Sequence, residues 1–169
     1  LTAVQEFLTS HLSGGHAPTL DTLFATPGNS GGLTLVARAL TRPGDRVLME
    51  DPSYFLAHQV FRDHHLELVP LPQRADRAGT LDVEEVAKVL WRAKYLSTAT
   101  ADNPMPRLLY LVPTGNNPRG VTMPDADRAR LVELCADAGV TIVADDVYEL
   151  LQYGGRAGAP RPLRAHALA

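Results

Sequence analysis

Apolar positions in this chain follow two rhythms. Leu1, Val4, Leu8 and Leu12, widened by Phe7, recur at helical spacing and predict an opening helix that Gly14-Gly15 ends. Short apolar runs of strand length then fall at 22–26 (TLFAT), 46–50 (RVLME), 66–70, 108–112 and 140–144. Helical stretches separate them at 33–40, 54–63, 82–92 and 124–138, the first with Leu33, Val36, Ala37 and Leu40 on one face. Pro27-Gly28, Pro43-Gly44-Asp45 and Asp51-Pro52 read as turns. Asp82 with Glu85 reads as a capping-box start, and Thr122 as an N-cap ahead of Pro124, with Gly139 just past that helix. Segment 97–106 is polar and proline-containing, hence a loop. After Tyr153 the chain offers little to pack.

Strands alternating with helices predict a three-layer α/β fold, a mostly parallel sheet covered on both faces. Ligands of such sheets bind beyond the carboxyl ends of the strands. Chemistry is therefore expected just after residues 26, 50, 112 and 144.

Each of those places carries unusual residues. After the first run, Gly28-Asn29-Ser30-Gly31-Gly32 leads into a helix. Glycines allow close backbone approach, and a helix N-terminus offers free N–H groups to an anion such as phosphate. A plain strand-to-helix turn accounts for the segment equally well, and it matches neither nucleotide-binding glycine motif. After the second run, Tyr54 in Asp51-Pro52-Ser53-Tyr54 can offer a flat face to a planar ligand, although packing on its own helix is the commoner fate. After the fourth, segment 113–120 (PTGNNPRG) demands a defined loop, with Asn117 held extended before Pro118 and its amide aimed at a fixed acceptor. After the last comes Asp145-Asp146-Val147-Tyr148. Asp145 directly follows apolar residues, so its carboxylate needs a partner. The only lysines are Lys88 and Lys94, in a distant helix, which leaves a ligand cation or a helix-capping role.

Composition removes several classes. The 169 residues carry 16 basic and 19 acidic side chains, a net charge of −3, and so no footprint for nucleic acid or anionic membrane. Apolar content of 45% and charged content of 21% fit a globular domain rather than a disordered one. Every apolar run is too short to span a bilayer. A lone Cys135 forms no internal disulfide and reads as a core residue, and no secretory signal opens the chain, so a cytoplasmic protein is expected. His58, His64 and His65 read as a solvated helix face with no carboxylate to complete a metal site. Trp91 is expected to pack, and Arg156, Arg161 and Arg164 receive no role. The chain begins at Leu1 and reads as a piece of something longer.

Gly28-Asn29-Ser30, Asp51-Pro52-Ser53-Tyr54, the 113–120 loop and Asp145-Asp146-Val147-Tyr148 together resemble the fold-type I pyridoxal-phosphate aminotransferases. The resemblance is nearest to class I/II enzymes of the aminoadipate/kynurenine type, and order and spacing match across most of the chain. It implies that residues 1–169 are part of a large cofactor-binding domain in a cytoplasmic homodimer. The implied reaction moves an amino group from an amino acid to a 2-oxo acid on pyridoxal 5'-phosphate. In the family's pattern Asn29 and Ser30 would bind the cofactor phosphate and Tyr54 would stack on the pyridine. Asn117 and Tyr148 would hydrogen-bond the phenolic oxygen, and Asp145 would pair with the ring nitrogen. Asp145 and Tyr148 are thus the implied catalytic residues of this chain.

Departures matter. Where the family often has Ser-Gln-Gln-Ala, this chain has Asn29-Ser30-Gly31-Gly32, which shifts phosphate contacts toward backbone, and Arg119 replaces the commoner threonine. The family's Schiff-base lysine and its small-domain arginine are absent, since none of the 24 residues after Asp145 is lysine. These 169 residues alone are therefore expected to be inactive. Two alternatives accompany the enzyme reading. One is the aminotransferase-like effector domain of a transcription regulator, whose histidine-containing loop and D-D-Y motif this chain lacks. The other is a carbon–sulfur lyase or cyclopropane-forming synthase on the same fold.

Overall fold

Four of the five apolar runs are strands. The computed structural model describes residues 1–11, 18–75, 79–95, 105–151 and 159–167. Strands β1 (Arg46–Asp51), β2 (Glu67–Pro72), β3 (Leu108–Leu111) and β4 (Thr141–Ala144) form one sheet in the order β2-β1-β3-β4. Every adjacent pair is parallel, with Met49 opposite both Pro70 and Tyr110. The helices are α1 (Thr2–His11), α2 (Gly28–Leu40), α3 (Phe55–Asp63), α4 (Val83–Tyr95), α5 (Asp125–Ala138) and α6 (Leu163–Ala167).

The two-residue period of the strands sorts their side chains between two cores. Val47, Met49, Leu108 and Tyr110 pack with Leu33 and Ala37 of α2 and Ala57 and Phe61 of α3. Leu48, Leu109 and Leu111 pack on the opposite face with Val86 and Leu90 of α4, Leu131 and Cys135 of α5, and Leu163 of α6. Each fully buried large side chain contributes roughly 1.5–3 kcal/mol of transfer free energy. Three layers follow, as expected.

Topology then fixes where a ligand can enter. From β1 the chain crosses over α3 to β2, whereas from β3 it crosses over α5 to β4, on the other face. The connections leaving neighbouring strands β1 and β3 diverge, which opens a crevice at their carboxyl ends. Among the described residues no helix is long and apolar enough to cross a membrane.

Several expectations are corrected. Residues 22–26 are not a strand: a short turn of 3₁₀ helix covers Leu20–Thr22, and Phe24 is 83% exposed. The Thr22 hydroxyl bonds the backbone N–H and carbonyl of Thr19 there, a local alternative to a sheet ladder. Helix α2 begins at Gly28 rather than Leu33, so Asn29 and Ser30 lie in its first turn. Thr122 does not cap α5; Pro124 holds that position, and the Thr122 hydroxyl accepts from Gly115 N–H at 3.1 Å. Asp82 does cap α4, accepting from the N–H groups of Glu84 and Glu85, and Gly139 ends α5 in the left-handed conformation. Trp91 is 54% exposed rather than packed. The tail does pack, through buried Leu163 and Ala165, and Arg161 pairs with Asp125 at 3.2 Å. His65 lies beyond the end of α3 at φ 56°, off the helical face it was read on. Gly14-Gly15, Arg156 and most of the 97–106 loop lie outside the described residues.

Candidate functional site

Asp145 follows β4, and its N–H donates to Leu111 carbonyl at 2.9 Å, so the ladder itself fixes its backbone. Only 5% of the residue is exposed. Its Oδ2 accepts from Asn29 Nδ2 at 2.7 Å and from the Tyr110 hydroxyl at 2.8 Å. Its Oδ1 is buried without a hydrogen-bond partner. Leaving a buried carboxylate oxygen unpaired is costly, so this atom is set to receive a donor from a ligand.

A cavity of about 170 Å³ is bounded by Asp145 together with Asn29, Tyr54, Val112, Asn117, Val147 and Tyr148. They arrive from four pieces of the fold. Tyr54 comes from the turn after β1, Asn117 from the loop after β3, Asp145 and Tyr148 from beyond β4, and Asn29 from the first turn of α2. Five of the six residues expected from the sequence thus share one cavity. Ser30 does not border it; it sits exposed beside Asn29, where the free N–H groups of the helix start lie. Gly115 has φ 57°, and a Cβ there would stand 3.3 Å from Cβ of Tyr148. Glycine is what lets the loop pass that close to the tyrosine.

The loop carrying Asn117 is tied at both ends. Glu50, next to last in β1 and 3% exposed, accepts on Oε1 from Val112 N–H at 2.6 Å and from Asn116 Nδ2 at 2.7 Å. Asn116 also bonds within the loop, its N–H donating to Val121 carbonyl and its Oδ1 accepting from Arg119 N–H. Burial pushes the Glu50 carboxyl up to about 7, against the pull of those two donors. Arg128 of α5, wholly buried, donates to the Pro113 and Met123 carbonyls and to the Thr114 hydroxyl at 2.9–3.0 Å. Its remaining nitrogen donates to Arg161 carbonyl, joining the tail to the same knot.

Three contributors escaped sequence reasoning. Glu50 follows apolar strand residues as Asp145 does, and the same argument about a buried carboxylate would have found it. Tyr110 is hidden inside an apolar run, where its ring packs edge-to-face on Phe61 at 5.6 Å. Burial and the Asp145 carboxylate hold its phenol well above the ordinary tyrosine range, so it remains a donor. Arg128 sits among other charged helix residues and carries no distinguishing signal. Cys135 is buried, its thiol pushed up to about 12, in keeping with a core role. Among the described residues no group of three metal-ligating side chains occurs.

Residues 2–167 match the profile of the family described as aminotransferase class I and II. Aromatic-amino-acid aminotransferase 1 of Thermococcus litoralis is 33% identical over 138 residues, which are 82% of this chain and 31% of that protein. The uncharacterized HTH-type transcriptional regulator YjiR of Escherichia coli is 28% identical over 158 residues, 92% of this chain and 30% of that protein. The kynurenine aminotransferase of Pyrococcus horikoshii, solved in complex with PMP, superposes with a TM-score of 0.80 at 29% identity, over 98% of this chain and 38% of that one. The chain therefore spans about a third of the length of the curated relatives it matches.

Proposed function

This chain belongs to the class I and II aminotransferase family, and from that we propose that its parent protein is a pyridoxal-phosphate-dependent aminotransferase, acting on an amino acid and a 2-oxo acid. Residues 1–169 are then part of its large cofactor domain, with the small domain and the Schiff-base lysine carried elsewhere in the protein. One observation carries the reading. Asn29, Tyr54, Asn117, Asp145 and Tyr148 converge on one cavity, and one buried carboxylate oxygen of Asp145 has no hydrogen-bond partner.

The residues fit the cofactor. Pyridoxal phosphate, when bound, supplies an electron sink for the pair left on the α-carbon of an amino acid. Asp145 would hold a proton on the ring nitrogen through Oδ1, and a charge-assisted bond in a buried place is a strong one. Tyr54 would cover one face of the ring. Asn117 and Tyr148 would donate to the phenolic oxygen and keep it anionic. Ser30 and the free N–H groups of α2 would hold the phosphate at the helix's positive end. Val112 and Val147 would limit water at the ring edge.

A cytoplasmic homodimer is part of the same proposal. Its supports are the single buried Cys135 and the exposed Phe24 and Phe55, apolar surface of the kind that subunit contact covers. A second reading, a ligand-sensing domain of a transcription regulator, is favoured only by the similarity to YjiR. The deciding experiment incubates the full-length protein with pyridoxal phosphate, a panel of amino acids and 2-oxo acids, and follows amino-group transfer. Transfer that depends on Asp145 supports the enzyme. Cofactor binding without transfer, coupled to DNA binding, supports the regulator instead.

A further inference from the structure

A carboxylate has two chemically equivalent oxygens, and a single ring nitrogen can use only one of them. In this site the two oxygens are not equivalent. Oδ2 accepts two hydrogen bonds, from Asn29 Nδ2 at 2.7 Å and Tyr110 Oη at 2.8 Å, while Oδ1 accepts none. The donors come from different elements, the first turn of α2 and the middle of β3, and they meet an acceptor at the end of β4. We propose that Asn29 and Tyr110 are positioning residues that clamp Oδ2 of Asp145 and so commit Oδ1 to the cofactor's ring nitrogen. This rests on the reading of Asp145 given above, and it changes the role of Asn29. One N–H of its amide is committed to the aspartate, and the phosphate falls to Ser30 and the backbone N–H groups of α2.

The clamp acts through geometry. Two donors on Oδ2 resist rotation of the carboxylate about its χ2 axis, a soft torsion when unrestrained. They also fix the direction in which the carboxylate presents its free oxygen to a ring nitrogen. Water cannot take the place of the donor at Tyr110, which is wholly buried against Phe61. Losing one such bond should weaken the ion pair without removing it.

The test compares full-length Tyr110→Phe, Asn29→Ala and Asp145→Asn with the unaltered holoenzyme. Tyr110→Phe keeps the ring that packs on Phe61, and Asn29 lies on an exposed turn, so both variants should fold. The readouts are the nitrogen-15 chemical shift of ring-labelled pyridoxal phosphate and the dissociation constants of pyridoxal phosphate and of phosphate-free pyridoxal. The expected result is a shift toward the unprotonated nitrogen in all three variants, largest for Asp145→Asn. Tyr110→Phe and Asn29→Ala should each weaken binding about ten-fold, a change typical of one bond to a charged group. That weakening should be the same for pyridoxal as for pyridoxal phosphate. If Asp145→Asn moves the nitrogen signal and the other two do not, the clamp is wrong while the site reading stands. If the Asn29→Ala effect vanishes with pyridoxal, Asn29 is a phosphate ligand and the proposal fails. If Asp145→Asn itself leaves the signal unmoved, the site reading fails and takes the clamp with it.

Discussion

Two hollows among the described residues hold their charges in different ways. Between α4 and α5 lies a groove of about 540 Å³ lined by Trp91, Tyr95, Leu134 and the cations Lys88, Arg92, Lys94 and Arg130. At the strand ends the cavity is about 170 Å³. In the groove the charges are answered in water: Lys88 pairs with Glu85 on the same helix, and exposed Lys94 reaches across to Asp137 carbonyl of α5. Around the cavity, Asp145, Glu50, Asn116 and Arg128 are buried, and their hydrogen bonds bridge separate elements. An exposed ion pair contributes little and constrains little. A buried polar group costs several kcal/mol unless satisfied, so a fold that keeps many of them in one place has fixed their geometry. Volume alone does not mark a site; converging buried polar atoms are what set this cavity apart.

That contrast can be broken by substitution. The largest effect belongs to the cavity: Asp145→Asn in the full-length protein should lower kcat/KM by about 100-fold or more, as loss of a preorganised charge does elsewhere. Steady-state transamination kinetics measure it, and a rate near that of the unaltered protein would move the chemistry out of this cavity. Next comes Arg128→Met, which leaves the Met123 carbonyl and the Thr114 hydroxyl without their buried donor. Urea unfolding should show a loss of about 3 kcal/mol. An unchanged midpoint would mean that the knot under the Asn117 loop is dispensable.

Glu50 gives a pH signature. Its carboxyl sits at about 7 in the fold against 4.5 unperturbed, so the folded state keeps a proton that the unfolded chain releases within that window. Stability is therefore full below about 4.5 and falls as pH rises to about 7. Each pH unit across the window removes up to about 1.4 kcal/mol. Glu50→Gln keeps an oxygen for Val112 N–H and Asn116 and should flatten that slope, read by thermal melts from pH 4 to 8. A slope equal in both proteins would assign it to other groups. The smallest effect belongs to the groove: Lys88→Ala with Lys94→Ala should leave kcat within about two-fold, since exposed pairs carry so little. A large loss would bring the groove into the mechanism.

The sheet was legible because buried parallel strands are nearly uninterrupted apolar runs, as 46–50 and 108–112 are. The same logic misled at 22–26. An apolar run looks alike whether or not a neighbouring strand pairs with it, and here two threonines close a local turn instead. The site was legible where a polar residue interrupts or ends such a run, as Asp145 does after β4. Tyr110 was not, because a tyrosine inside an apolar strand reads as packing, and only the fold reveals that its hydroxyl reaches Asp145. Trp91 failed the other way: an aromatic on a helix was expected inside, but it faces out along the groove.

The account turns on a single atom, Oδ1 of Asp145. A crystal structure of the full-length protein with pyridoxal phosphate tests it most directly. The account predicts the ring in the cavity with Tyr54 against one face and the ring nitrogen within about 2.6–3.2 Å of Oδ1, while Oδ2 keeps its bonds from Asn29 and Tyr110. A cofactor lodged between α4 and α5, or one whose nitrogen faces away from Asp145, would contradict it.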